Sequence, residues 1–281
     1  MIDKLQNIFK IPELRRRVLF TLSILVIYRL GSHIPSPGVN SAALEFFFQQ
    51  NAGTLFGLYD MFAGGNLSKA TIFALGIMPY ISASIIFQLL TSVVPFFEKL
   101  QKEGEEGRKK ITQYTRYATV VLASVQAFGI AIFLESIQAQ AAAEIGGLAT
   151  NSGLGFRLLT VLTLVAGTIF VMWLGEQITE RGIGNGISLI IFIGIVAQYP
   201  SDFLKTVQVL QAGTLSPFLL AFILVLMVGV IAGVILITQG QRRIPVQYAK
   251  RIVGRKVYGG QSTHIPLRVN TSGVIPIIFA Q

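Results

Sequence analysis

Residues 70–94 form a run of 25 residues without a single charge. A helix needs about 20 mostly apolar residues to cross the hydrocarbon core of a bilayer, so this run is long enough to span one. It stops at Pro95, just ahead of a charged stretch. The residues before it, 55–69, are different in kind. Apolar side chains mix there with Asp60, Asn66 and Lys69, and Gly57, Gly64 and Gly65 interrupt them. That piece is too short and too broken to cross a membrane. An amphipathic fragment joined directly to a span predicts a broken or re-entrant helix, which survives at membrane depth only where protein or a water-filled cavity shelters it. The first expectation is therefore a membrane protein with an internal cavity.

Composition agrees. Apolar residues make up 52% of the chain, charged residues only 13%, and the mean hydropathy is +0.65, so the length divides into spans rather than soluble domains. There is no cysteine, which removes thiol catalysis, disulfides and cysteine metal sites. A net charge of +10 fits nucleic acid or anionic lipid, but in a membrane protein cationic loops account for it. The basic start followed by an apolar run resembles a signal peptide, yet RLGSHIPSPG after it lacks a small-residue cleavage pattern. It reads as a retained first span.

Six spans are expected, over about residues 18–34, 70–94, 117–134, 154–174, 187–197 and 217–238. The segments between them read as a polar loop at 39–54, a dense charged loop at 98–116 and an Ala/Gly-rich connection at 135–153. A turn, GEQITERGIGNG, follows span four, then a loop at 201–216 and a long basic loop at 239–268. A seventh apolar segment, VNTSGVIPIIFAQ, opens at the end of the sequence. With the N-terminus in the cytoplasm, 19 of the 23 Lys and Arg residues fall on the inner side. Only Arg29, Lys69, Arg157 and Lys205 lie outside, the asymmetry that fixes orientation. The broken piece at 55–69 then faces outward.

Catalysis finds no support. His33 and His264 are the only histidines and fall on opposite faces, and no H-E-x-x-H occurs, so neither a base-activated nucleophile nor a metal site assembles. The GIGNG run at 182–186 has the wrong spacing for a dinucleotide fingerprint and reads as a tight turn. No P-loop is present, so nucleotide-driven work falls to a partner. A secondary transporter of a small solute is the alternative, but it wants ionisable groups at mid-membrane. Spans two and six have none, and span three offers only Gln126. An apolar path gated by a movable broken helix suits a large, varied cargo. Ile77 and Ile81 stand four residues apart on span two, hence on one helix face, where they meet either a path, lipid or a neighbouring helix. The basic loop, QRRIPVQYAKRIVGRKVYGG, patterns as a hairpin with basic tips. It suits lipid headgroups or a large acidic partner such as ribosomal RNA or a cytosolic motor.

Five stretches, MFAGGNLSKATIFALGIMPYISASIIFQLL, KEGEEGRKKITQYTRY, MWLGEQITERGIGNGISLIIF, GQRRIPVQYAKR and QSTHIPLRVNTSGVIPIIFA, together resemble the SecY family of bacterial protein-conducting channel subunits. The similarity runs from about Ile11 to the last residue and is weakest in the outer loops. It implies an all-α polytopic membrane protein in the SecY-type channel fold. Residues 1–200 would be the first five-helix half of an inverted repeat, and residues 201–281 the start of the second half. Spans eight to ten have no counterpart, so the expectation is a sequence that stops short within span seven.

The resemblance also implies site residues. Leu55, Phe56, Gly57, Leu58, Tyr59, Asp60, Met61, Phe62, Ala63, Gly64, Gly65 and Asn66 match the plug that seals the resting channel, within a segment reaching Lys69. Ile77, Ile81, Ile191 and Ile278 match the pore ring. Ser82, Gln126 and Asn270 match the polar cluster of the lateral gate. Arg242, Arg243, Arg255 and Lys256 match the loop that meets the ribosome or the SecA ATPase. Implied partners are SecE, SecG, SecA, the ribosome, signal sequences, unfolded polypeptide and anionic lipid, in the bacterial plasma membrane. No enzymatic activity, cofactor or metal is expected.

Overall fold

The computed structural model describes residues 11–39, 44, 47–48, 57, 60, 63–141, 153–213, 216–246, 251–253, 256–258 and 263–268. They form two compact units, Met1–Asp202 and Phe203–Gln281.

The first unit is helical. Its helices are α1 (Pro12–Gly31), α2 (Met78–Val93), α3 (Pro95–Lys102), α4 (Glu105–Ala141), α5 (Leu154–Arg181) and α6 (Gly186–Val196), followed by the start of α7 (Tyr199–Gln211). Helix α1 opens on Pro12, whose missing N–H costs nothing at a helix start, so Arg15, Arg16 and Arg17 lie inside its first turns. They were expected at its entrance. The uncharged run at 70–94 is not one span. Residues 70–77 are turns, and the helix begins only at Met78, with Pro79 in its first turn. Thr71 pairs with Pro35 in an isolated antiparallel bridge, with Ser36 N–H donating to Ala70 O at 2.7 Å and Ile72 N–H to Ile34 O at 3.0 Å. Those bonds replace the ones a helix would supply. Gly76 adopts φ +56 and Ala70 φ +47, backbone that cannot continue a right-handed helix.

Three further expectations fail in the same direction. The charged stretch at 98–116 is not a loop but most of α3 and the first turns of α4, with α3 bent 95° from α2 at Val94. Glu, Lys and Arg are good helix formers. Helix α5 runs through the residues GEQITER to Arg181, leaving only 182–185 as the turn. Part of the loop expected at 201–216 is helical, α7 reaching Gln211.

Helices α4 and α5 form the frame. Thr119, Ala123, Ala127 and Ala131 recur every four residues on α4 and are fully buried, a stripe small enough for close helix approach. The pair is tied near both ends. Arg116 Nε donates to Glu176 Oε1 at 2.9 Å, and Arg157 Nη2 meets Glu135 Oε2 at 2.6 Å. Helix α2 packs against α4, and α1 against α5 and α6.

In the second unit, α8 (Pro217–Gln239) is apolar all round, has no buried residue, and is capped by Ser216 accepting from Leu219 N–H. Among the described residues, the basic loop forms β-strands. Strand β1 (Gln241–Val246) pairs antiparallel with β4 (Thr263–Arg268), and β2 (Arg251–Val253) with β3 (Lys256–Tyr258). By length and composition, four helical stretches among the described residues can cross a membrane, or five if the bent α2–α3 pair counts as one span. The protein is a multi-pass membrane protein.

Candidate functional site

The break ahead of α2 is where the site assembles. Ile77 caps α2 and is 3% exposed. Its carbonyl accepts from Tyr80 N–H and Ile81 N–H, both at 3.1 Å, so Ile81 stands one turn above Ile77 although Ile77 itself precedes the helix. Ile81 and, from α6, Ile191 are half-buried against the same apolar cluster as Ile77, with Tyr28, Phe73 and Val171 in its core. Three isoleucines from two elements thus converge. Ile278 lies outside the described residues.

Helix α6 is placed by its own start. The Asn185 side chain accepts from Ser188 N–H at 3.1 Å, capping the helix. Gly186 crosses α5 so closely that a Cβ would sit 2.0 Å from Gly175 O. The turn is fastened to α1 by Ile183 N–H donating to Thr21 Oγ1 at 3.1 Å. A cavity of about 340 Å³ opens between α2, α3 and α4. Ser84, Gln88 and Thr91 line it from α2, and Arg108 and Thr112 from α4.

Of the plug segment, Leu55, Phe56, Leu58, Tyr59, Met61 and Phe62 lie outside the described residues. Gly57 is half-buried, and Ala63, Gly64, Gly65 and Asn66 are buried. Asp60 Oδ1 accepts from Leu67 N–H at 3.0 Å and Ser68 N–H at 2.9 Å. Burial raises the Asp60 carboxyl above the ordinary aspartate value, against the pull of those two bonds and of Lys69. Asn66 reaches α1, donating from Nδ2 to the Tyr28 hydroxyl at 3.1 Å. The sequence carried no sign of that contact, which joins residues 38 apart.

Of the gate residues, Ser82 is on α2, Gln126 on α4, and Asn270 outside the described residues. Gln126 Oε1 is buried without a hydrogen-bond partner among the described residues, so Ser82 does not donate to it. In the second unit, Arg242 and Arg243 are exposed on β1, opposite Leu267 and Pro266 of β4. Lys256 pairs with Val253 in the β2–β3 ladder, and Arg255 lies outside the described residues. Among the described residues no cluster of acidic or histidine side chains is arranged for a metal. The two ion pairs between α4 and α5 were also missed; their only sequence signal is the presence of Glu135 and Arg157 near the ends of apolar runs.

Comparison with known proteins converges on one family. A family model described as SecY matches residues 71–281. The protein translocase subunit SecY of Aquifex aeolicus is 49% identical, covering 100% of this chain and 65% of its own length. That of Escherichia coli K12 is 53% identical, covering 95% of this chain and 59% of its own length. A solved structure described as "The structure of a protein conducting channel" superposes with a TM-score of 0.60 at 20% identity, over 95% of this chain and 55% of that one. The chain thus spans roughly three-fifths of the relatives it matches.

Proposed function

The chain belongs to the SecY family, and from that premise we propose that it forms the plug, part of the pore ring and one wall of the lateral gate of a protein-conducting channel. The observation that carries this is the convergence of Ile77, Ile81 and Ile191 in one apolar cluster at a broken span. A ring of branched apolar side chains seals without binding. It closes on itself when empty, fits loosely around any extended chain, and offers passing ions no replacement for their hydration shell.

In this reading residues 55–69 stop the outer funnel. Helices α2 and α4 form one side of the gate, where the unpartnered Gln126 Oε1 is an acceptor for a donor such as Asn270 from the seventh span. A buried polar atom left unpaired costs about 1–3 kcal/mol, so closing the gate around it is favourable. An arriving signal sequence must displace that contact. The unfolded chain then passes the ring or leaves sideways into lipid. Direction and energy come from the ribosome or SecA, engaged through Arg242, Arg243, Arg255 and Lys256, while SecE and SecG brace the complex. The N-terminus is cytoplasmic, and the membrane is the bacterial plasma membrane.

Reconstitution of the full-length protein with SecE and SecA into vesicles tests the proposal. ATP-dependent entry of a secretory precursor is expected. Solute uptake without precursor movement would refute it in favour of a transporter.

A further inference from the structure

Two sets of contacts hold the base of the plug segment, and they differ in strength. The first is buried. Asn66, Tyr28 and Thr71 are 1%, 3% and 1% exposed. Asn66 Nδ2 donates to the Tyr28 hydroxyl at 3.1 Å and to Ala63 O at 2.6 Å. Thr71 N–H donates to Asn66 O at 3.0 Å, and its hydroxyl reaches Asn66 Oδ1 at 3.3 Å. That hydroxyl in turn accepts from Phe73 N–H at 3.3 Å, and the Phe73 ring stacks on Tyr28 with centroids 5.8 Å apart. All three side chains are shielded from solvent, so breaking one of these bonds leaves a bare polar group in an apolar core.

The second set is only partly buried at Asp60 and Ser68. Asp60 Oδ1 holds Leu67 N–H and Ser68 N–H, and Gly65 N–H donates to Asp60 O at 2.8 Å. Water can replace these bonds as they open. Between the two sets stand Gly64 and Gly65, with φ +73 and +72, backbone that glycine adopts freely. Gly64 also lies against α6, where a Cβ would fall 2.9 Å from Gly194 Cα.

We propose that Asn66 is a positioning residue that fastens the base of the plug to α1 through Tyr28, so that plug displacement turns about Gly64 and Gly65 and releases the Asp60 clasp and the Asn66–Ala63 bond, while the bonds of Asn66 to Tyr28 and Thr71 keep residues 66–77 in place. The inference rests on the plug reading above and deepens it. Phe73 and Ile77 share the Tyr28 cluster, so the latch keeps the ring formed while the stopper leaves. A plug that dragged residues 66–73 with it would pull Ile77 out of that cluster.

The test uses the full-length protein in its complex and follows backbone amide exchange together with resting ion conductance in planar bilayers. Tyr28→Phe removes one hydroxyl and keeps the stacked ring. It should speed exchange at Thr71 and Phe73 roughly three- to tenfold, the factor expected from one buried hydrogen bond, and raise resting conductance. Asn66→Ala should act the same way, and the double variant should be no worse than Asn66→Ala. Asp60→Ala should raise conductance without speeding exchange at Thr71 and Phe73. Unchanged exchange in Tyr28→Phe, or additive effects of the two latch variants, would overturn the latch. Failure of the plug reading shows separately, as unchanged conductance on deletion of residues 55–62.

Discussion

Gly167 on α5 gives the sharpest packing prediction. A Cβ added there would lie 1.9 Å from Ile72 O and 2.9 Å from Ile72 C. Carbon and carbonyl oxygen approach to about 3.3 Å at closest, so Gly167→Ala requires a separation of about 1.4 Å. The obstacle is backbone and cannot rotate away. Ile72 is held by its bond to Ile34 O, and its neighbour Thr71 by Asn66. Overpacking of this kind costs about 1–3 kcal/mol, and the gain in helix propensity from Gly to Ala returns about 1 kcal/mol. With fixed backbone in the way, a net loss of about 1–2 kcal/mol is expected. Gly129 on α4 is the control, because nothing lies within 4 Å of an added Cβ and only the propensity gain applies. The propensity gain is common to both variants, so they should differ by the overpacking cost, about 1–3 kcal/mol in unfolding free energy. Gly31→Ala should fall between them, since it meets the tip of the Phe73 ring at 2.1 Å, a side chain able to turn. Thermal unfolding of the purified full-length protein reads the difference. Gly167→Ala as stable as Gly129→Ala would refute the reasoning.

Three further outcomes are expected. Ile77→Gly with Ile81→Gly widens the apolar constriction and should raise the ion conductance of the resting channel severalfold; unchanged conductance would mean that these side chains do not seal. Because burial raises the Asp60 carboxyl, the folded protein holds that proton where the unfolded chain has released it. The stabilisation is full below the ordinary aspartate value and is lost as pH rises through the raised one. Asp60→Asn keeps the Oδ1 acceptor and should flatten that dependence at pH above the ordinary aspartate value in thermal unfolding, whereas a slope equal to the parent's would assign the dependence to other groups. Arg242→Glu with Arg243→Glu should weaken ribosome binding and lower its salt dependence, as expected when phosphate contacts are removed; sedimentation of ribosomes with vesicles measures this, and unaltered binding would argue against docking at β1.

Much of the site was visible in the sequence because its signals are local. The glycine-broken fragment before an uncharged run marked the irregular backbone, and Ile77 and Ile81 were four residues apart on what reads as one face. Ile191 came only from resemblance, since nothing local relates α6 to α2. The charged residues at 98–116 were misread because polarity reports what a surface meets, not what the backbone does. Glu, Lys and Arg propagate helix well, and α4 carries its first turns beyond the apolar stretch. The same error shortened α5 before GEQITER.

What the sequence determined alone is the environment: apolar runs of spanning length, and the gathering of Lys and Arg into the stretches between them. Each is a property of neighbouring residues and survives any rearrangement of the chain. The start of α2 was decided by tertiary structure. Residues 70–77 are as apolar as the helix after them, yet they bond to residues 34–36, to Leu67 and Asn66, and to one another only in single turns (Ala74 N–H to Thr71 O, Gly76 N–H to Phe73 O), not along a helix. Backbone groups in a membrane must find partners, and which partner is nearest depends on α1 being packed alongside. The Tyr28–Asn66 contact and the two ion pairs tying α4 to α5 have the same origin, distance in space rather than distance along the chain.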